Sequence, residues 1–504
     1  MKRINRIVIS LFTFISLISV SIQVSAMENK KAETNKLDDN VRVKIEKFIE
    51  KQMDSGKIMG LSVAIVQGDK TLYQKGIGYS DYESKNPVTS NTLFELASNT
   101  KAFTALGVLN LDREGLIDID DPVDKYIPWF KMKYKNKVEK ITIKDLLFQT
   151  SGIPENTIGR IPVSDDRNSI EKTVRNLMNV ELDYEPGSIF QYATINYDVL
   201  GLIIEKASGK PYEDYMQEKV LNQLGLNNTY LYKSDAMKKD LAQGYKLGFL
   251  KPRKYDAPTY RGNKPAAYII SNSEDMAKWL KIQLGTSSEN KFNTGLISYS
   301  HIPRISNIDY KKFYACGWYG MRKDDLVIYH PGSNPNYSSF ILFDPAKELG
   351  VAVLANSNSS YVSSIADGIY ALLQGKAYNA NVNDSNKLID IVCVIVIFIE
   401  GLVLIALLSL IIRILIQIAK KERKFYINDG RTISKIIFRF VIAVILSYLL
   451  YIIPVIYSNG TWEFIFVWIP ISLKALVYLT YVIIVVAYIK HVLSLSVKSN
   501  NETY

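Results

Sequence analysis

Apolar and polar positions change their spacing several times along this chain, and each change marks a different kind of element. Residues 7–20 form a largely apolar stretch behind Lys2, Arg3 and Arg6. Over 39–53 the apolar positions recur at helical spacing, which predicts a helix with one buried face. The runs 61–67 and 71–79 are strand-like and are joined by Gly68-Asp69, a hairpin signal. A long middle stretch alternates helical patterns with Pro and Gly turns. Residues 326–330, 338–344 and 350–355 again read as strands. Strands from both ends of one unit around a helical middle predict an α+β fold, an antiparallel sheet flanked by helices with a helical subdomain. The last quarter carries three apolar runs, about 391–412, 436–457 and 464–489. Each is near the roughly 20 residues that cross a hydrocarbon core.

These patterns divide the chain. Residues 1–26 read as a secretory signal ending in the small-residue site Val24-Ser25-Ala26. The alternative is a retained anchor, for which the apolar stretch is short. Residues 27–38 are a linker, 39–375 one catalytic-sized unit, 376–387 an Asn- and Ala-rich linker, and 388–504 a C-terminal membrane region. Lys420, Lys421, Arg423, Lys424, Arg431 and Lys435 fill the loop between the first two spans, and Lys490 and Lys498 follow the third. The opposite loop, 458–461, has no basic residue. Basic loops stay in the cytoplasm, so the expectation is a multi-pass protein of the cell membrane with its C-terminus inside and the 39–375 unit outside. Glu400 lies within the first span, where an ionisable group is costly and marks a functional candidate by default. The structural alternative is a polar partner inside the bundle, such as Lys474.

Composition narrows the classes. Net charge is +11, but the basic residues are scattered apart from the cluster at 420–424, so the charge reads as membrane topology and a basic surface rather than a nucleic-acid face. The two cysteines are Cys316 and Cys393, and the second falls in an apolar span, which argues against a disulfide. With three histidines and no Cys/His spacing, no metal site and no cofactor is expected.

The candidate chemistry begins at Ser98-Asn99-Thr100-Lys101, which opens a helix running to about Leu111. Positions i and i+3 share a helix face, so the lysine amine falls beside the serine hydroxyl. A helix N-terminus favours developing negative charge. A desolvated lysine can remain neutral and take the serine proton. Ser169-Ile170-Glu171-Lys172 has the same spacing and reads as an exposed, charged helix start; the apolar, small-residue flanks of Ser98 distinguish the two.

Residues 92–128, with Leu111-Asp112-Arg113-Glu114-Gly115 and Asp120-Asp121-Pro122, resemble the serine β-lactamase and penicillin-binding-protein family of class C type. Leu146-Leu147-Phe148-Gln149-Thr150-Ser151-Gly152 matches a further segment, with Gln149 where a histidine is usual. The resemblance implies a β-lactamase-like fold and a serine hydrolase with Ser98 as nucleophile and Lys101 as base. Tyr192-Ala193-Thr194 takes the place of the family's Tyr-x-Asn element, with Tyr192 shuttling protons and Thr194 replacing the asparagine on the substrate side. His330-Pro331-Gly332-Ser333 matches the late-strand element; His330 and Gly332 would border the substrate, and the backbone N–H groups of Ser98 and Ser333 would form the oxyanion hole.

A narrower resemblance spans nearly the whole chain. Residues 196–201, 244–249, 265–269 and 334–339, together with the signal and the three C-terminal spans, look like the prodrug-activating D-asparaginyl peptidases of nonribosomal-peptide pathways, such as the pre-colibactin peptidase. That family implies removal of an N-acyl-D-asparagine cap from an acylated peptide prodrug. Glu95 can accept hydrogen bonds from the cap's NH₂, and Asn334 can donate to its carbonyl. Glu95 reads equally as a salt-bridged acid at a helix start. Ile270 stands where those relatives carry a helpful histidine. A peptidoglycan-type substrate, cleaved by a D-alanyl-D-alanine carboxypeptidase or D-amino esterase, is the alternative, and a non-catalytic membrane receptor a third reading. The lipid bilayer is the remaining partner, nucleic acid is not one, and a homodimer stays open.

Overall fold

The computed structural model describes residues 36–303, 312–322, 325–425, 430–458 and 460–499. The signal segment 1–26 and most of the linker 27–38 lie outside the described residues. Helix α1 (Asp39–Gly56) starts where the Asp38 side chain accepts from the N–H groups of Asn40 and Val41, satisfying donors that a helix start leaves free. It leads into strands β1 (Gly60–Gln67), β2 (Lys70–Asp81) and β3 (Asn86–Pro87). From the other end of the unit come β4 (Lys312–Tyr314), β5 (Tyr319–Arg322), β6 (Leu326–Asn334), β7 (Tyr337–Asp344) and β8 (Leu349–Ala355). They form one sheet in the order β4-β5-β6-β7-β8-β1-β2-β3. The first and last parts of the unit join where Leu61 pairs with Ala355 and Gln67 with Leu349, antiparallel.

Period-two alternation separates two cores across this sheet. Leu61, Val63 and Ile65 of β1 and Val351 and Val353 of β8 face one side, where α1 and α5 (Tyr361–Leu373) cover them with Ile45, Ile49, Ile365 and Ile369. Ala64, Val66, Ala352 and Leu354 face the other side and meet the helical subdomain. At the centre of that second core lies α2 (Thr100–Arg113), flanked by α3 (Asn196–Ser208) and α4 (Ser273–Gln283). Trp279 of α4 is fully buried, with its ring 4.1 Å from that of Phe103 on α2. This α+β architecture, an antiparallel sheet flanked by helices with a helical subdomain, is the class expected from the apolar pattern.

Three long apolar helices follow: α6 (Ser385–Ala419), α7 (Gly430–Ser458) and α8 (Ile471–Ser496). All three are long and apolar enough to cross a membrane. Two details differ from the sequence expectation. Helix α6 begins inside the stretch read as a linker. The Asp384 carboxylate caps it at the Lys387 N–H and also accepts from Ser359 Oγ and the Ser360 N–H, so this stretch is tied to the catalytic-sized unit. The third span is not continuous. A short helix, Trp462–Trp468, ends at Ile469, and α8 starts after Pro470. Proline lacks the N–H a helix needs and forces the residue before it into extended backbone; Ile469 has φ −94° and ψ 155°. Inside the bundle, Glu400 accepts from Thr480 Oγ1 at 2.9 Å rather than meeting Lys474.

Ser169 also departs from expectation. It is fully buried and bonds Ser164 Oγ at 2.9 Å, while Lys172 turns outward to Asp166. The spacing of a serine and a lysine alone therefore built no reactive pair there.

The stacked Phe103–Trp279 pair ties the helix that carries Lys101 to α4. Trp279→Ala is expected to destabilise the unit by about 3–5 kcal/mol, read as a lower denaturant midpoint. A loss under about 1 kcal/mol would show that this packing does not hold α2 in place.

Candidate active site

Helix α2 is entered through a tight turn, Ala97–Asn99. Ala97 is fully buried yet has φ 48°, a left-handed conformation that costs a non-glycine residue energy and persists only where its surroundings enforce it. The turn leaves Ser98 partly exposed between buried Ala97 and Asn99. One helical turn on, Lys101 is completely buried. Its Nζ lies 3.1 Å from Ser98 Oγ, 3.0 Å from Thr194 Oγ1 and 3.0 Å from the Ala266 carbonyl oxygen. The Tyr192 ring centroid is 5.1 Å from the same nitrogen, and that of Tyr197 is 5.8 Å away.

The Ala266 carbonyl is delivered by the segment that runs along α2. Thr104 Oγ1 donates to the Pro265 carbonyl at 2.6 Å, and the Ile269 N–H donates to Thr100 Oγ1 at 3.1 Å. The turn carrying Tyr192 and Thr194 is held by Gln149, whose Oε1 accepts from the Ala193 N–H at 2.9 Å and from Asn196 Nδ2 at 2.5 Å. Gln149 is fully buried, so its work is structural.

Strand β6 supplies the opposite wall. His330, Gly332 and Asn334 alternate onto one buried face, and Ser333 lies exposed between them. Gly332 is required by space. A Cβ there would lie 2.2 Å from Ser339 Oγ and 2.5 Å from the Leu96 carbonyl oxygen, so only glycine lets the strand press against the Ser98 turn. Ser339 Oγ donates to that same carbonyl at 2.6 Å and accepts from Asn99 Nδ2 at 2.8 Å, fastening strand to turn. Burial first, and then neighbouring Lys101, push the His330 imidazole down to about 3. Its Nδ1–H donates to the Pro331 carbonyl at 2.7 Å, which leaves Nε2 to accept from the Tyr314 hydroxyl at 3.4 Å. His330 is therefore an uncharged, oriented side chain at neutral pH.

Glu95 and Asn334 are brought together directly. Asn334 Nδ2 donates to Glu95 Oε2 at 2.7 Å and to the Ala267 carbonyl at 3.0 Å, and Lys233 Nζ donates to Glu95 Oε1 at 3.3 Å. Both N–H groups of Asn334 are thus spent inside the protein. Its Oδ1 is the buried atom left without a partner among the described residues. In this geometry Asn334 offers an acceptor, not the donor that the sequence suggested. A cavity of about 270 Å³ opens beside Glu95, lined also by Tyr232, Lys233, Tyr260, Tyr268 and Ile270. The Tyr268 hydroxyl is likewise buried and unpartnered among the described residues. Sequence reading assigned no site role to Ala266, Lys233, Tyr268, Tyr314 or Ser339, which come from four separate stretches of chain, although 265–269 and 334–339 carried the narrower resemblance. Among the described residues, no group of three His, Cys, Asp or Glu side chains is placed to hold a metal.

A buried amine thus lies against a half-exposed serine at a helix mouth, beside a strand that only glycine can bring so close, an arrangement that fits a serine hydrolase of β-lactamase type. The Beta-lactamase family profile matches residues 45–376, and the chain belongs to that family. It is 31% identical over 448 residues to "Protein flp" of Staphylococcus aureus (strain N315), covering 87% of this chain and 88% of that protein. It is 26% identical to "Penicillin-binding protein 4*" of Bacillus subtilis (strain 168), over 65% of this chain and 75% of the relative. The fold superimposes on the octameric penicillin-binding protein homologue from Pyrococcus abyssi with a TM-score of 0.60 and 32% identity, covering 66% of this chain and 77% of that one.

Two measurements check the site. Gly332→Ala is expected to slow fluorophosphonate labelling of the protein by about 100-fold, because a displacement near 1 Å at the reacting centre costs that much; labelling at the unaltered rate would contradict the close approach. Because burial pushes His330 down to about 3, the ratio of the His330→Asn labelling rate to that of the unaltered protein is expected to stay constant between pH 5 and 8. A ratio that changes through this range would show that His330 titrates there.

Proposed function

We propose that this chain is a membrane-anchored serine peptidase that removes an N-acyl-D-asparagine cap, or a similar D-amino-acid cap, through an acyl-enzyme on Ser98. The observation that carries the reading is the contact set of Lys101, whose three nearest polar partners are two hydroxyls and a carbonyl. An ammonium donates to all three. With one proton removed, two N–H groups serve Thr194 and Ala266, and the lone pair faces the Ser98 hydroxyl. Ser98 Oγ then attacks the substrate carbonyl carbon as its proton passes to Lys101. The N–H groups of Ser98 and Ser333 take the developing oxyanion. Tyr192, beside Lys101, relays the proton to the leaving amine, and the C–N bond breaks. Water attacks the acyl-enzyme, gives its proton back through the same pair, and releases the acid with Ser98 restored.

The cap side of the reading rests on the cavity at Glu95. Glu95, Lys233 and Tyr268 place a few polar groups, suited to a carboxamide, in an otherwise largely apolar lining. The cap's NH₂ can donate to Glu95, and its carbonyl can accept from Lys233 or the Tyr268 hydroxyl, all three of which line the cavity. Lys233 and Tyr268 thus take the donor role that Asn334 cannot fill in this arrangement. On this reading the unit lies outside the cell and the C-terminus inside, an orientation that the basic residues between α6 and α7 support.

A second reading has a specific observation behind it: relatives include a penicillin-binding protein that matches 65% of this chain. That reading makes the substrate a D-alanyl peptide or ester of the cell envelope.

Incubating the full-length protein in detergent with an N-acyl-D-asparaginyl peptide is expected to release the cap. Ser98→Ala should lower the rate by about 10³-fold or more. Glu95→Gln should raise KM for this peptide by about tenfold and change cleavage of a D-alanyl-D-alanine peptide far less. Cleavage of the D-alanyl peptide alone would establish the envelope reading instead.

A further inference from the structure

The hairpin made of strands Tyr245–Gly248 and Lys251–Lys254 leaves the catalytic unit and lies against the membrane bundle. Its tip residues, Phe249 and Leu250, have φ 56° and 64°, the paired left-handed geometry of a tight two-residue turn. Their N–H groups donate to Asp390 near the start of α6, at 3.1 and 2.7 Å. Asp390 is 1% exposed and also accepts from Ser472 Oγ at the start of α8. One carboxylate thus closes the hairpin tip onto two spans at once. Lys246 makes the second fastening. Its Nζ donates to the Phe466 and Val467 carbonyls, the free acceptors at the end of the short helix Trp462–Trp468. Burial, with Lys474 nearby, pushes that amine down to about 7. Gly248 completes the contact: a Cβ there would come within 2.9 Å of Ile471 Cβ.

The other end of the hairpin runs directly into the cavity beside Glu95. The Tyr255 N–H donates to the Gly244 carbonyl, and the Tyr255 carbonyl accepts from Asn336 Nδ2 at 2.9 Å, two residues beyond Asn334. The next residues, Ala257, Pro258, Thr259, Tyr260 and Arg261, are one wall of that cavity. On its other side the wall is held through Arg261, which donates to Glu213 at 3.0 Å and to the Asp165 carbonyl at 3.2 Å, and through buried Tyr260. Ser164 pairs with Thr259 and Arg261 through backbone bonds, and the Tyr260 ring lies 6.5 Å from that of Tyr268.

We propose that the membrane bundle is a working part of the substrate pocket: Asp390 and Lys246 are positioning residues that hold the hairpin and, through it, the 255–261 wall against Glu95 and Asn334. The bundle then acts on substrate binding without contributing an atom to the bond-breaking step. The proposal rests on the Glu95 cavity being the pocket for the cap, but the clamp itself is testable without a substrate.

The test uses full-length protein in lipid nanodiscs, with Asp390→Asn and Lys246→Met made separately. Amide hydrogen exchange at 255–261 is expected to speed up by about tenfold in both variants. Exchange in α2 should be unaltered, and fluorophosphonate labelling of Ser98 should stay within about twofold. KM for the capped peptide should rise by about fivefold, with kcat within about twofold. Unaltered exchange at 255–261, or faster exchange spread equally into α2, would overturn the proposal. If the wild-type chain turned over no capped peptide but the exchange result held, the cap assignment would fail and the clamp would stand.

Discussion

One buried amine organises this molecule. Lys101 is completely buried beside the second core, and each of its three polar contacts comes from a different stretch of chain. Burying a polar group is tolerable only when its bonds are met. That demand fixes the register of α2, the 265–269 segment and the turn at Tyr192 relative to one another. Ser98 is positioned as a consequence: the same helix that buries the lysine leaves the serine at its mouth.

The sheet serves the same end from the other side. β6 can approach the Ser98 turn because residue 332 has no Cβ, and Ser339 on the neighbouring strand bonds both Leu96 and Asn99. Joining β1 to β8 brings the two ends of the unit into one sheet, so late-chain residues face an early-chain serine. The left-handed Ala97 is the strain this closeness leaves in the backbone, and the surrounding core holds it.

The legible part of this design is the part written in side-chain chemistry and period. Ser98 and Lys101 stood out by their spacing and apolar flanks, Tyr192, His330 and Gly332 by their resemblance to family elements in the expected order, and the sheet was visible in its alternation. Ala266 was not, because a carbonyl oxygen has no sequence signature; every residue carries one. Asn334 was read as a donor to the substrate, but an amide both donates and accepts, and the Glu95 carboxylate and the Ala267 carbonyl, which only accept, take both of its N–H groups. Ser169 shows the converse. Its i+3 lysine was equally visible, but local contacts drew the two apart. The break at Pro470 lay in plain sight within an apolar run whose overall hydropathy concealed it. The hairpin clamp joins residues over a hundred positions apart and had no local signal.

The central claim is that Lys101 activates Ser98. It is tested most directly by rapid-quench intact-mass measurement of the full-length protein mixed with an N-acyl-D-asparaginyl p-nitrophenyl ester. That leaving group departs without a proton, so only activation of the serine limits acylation. The expected result is a single acyl adduct mapping to Ser98, formed at least about 100-fold more slowly in Lys101→Met. Adduct formation at the same rate in both proteins, or on another residue, would contradict the account.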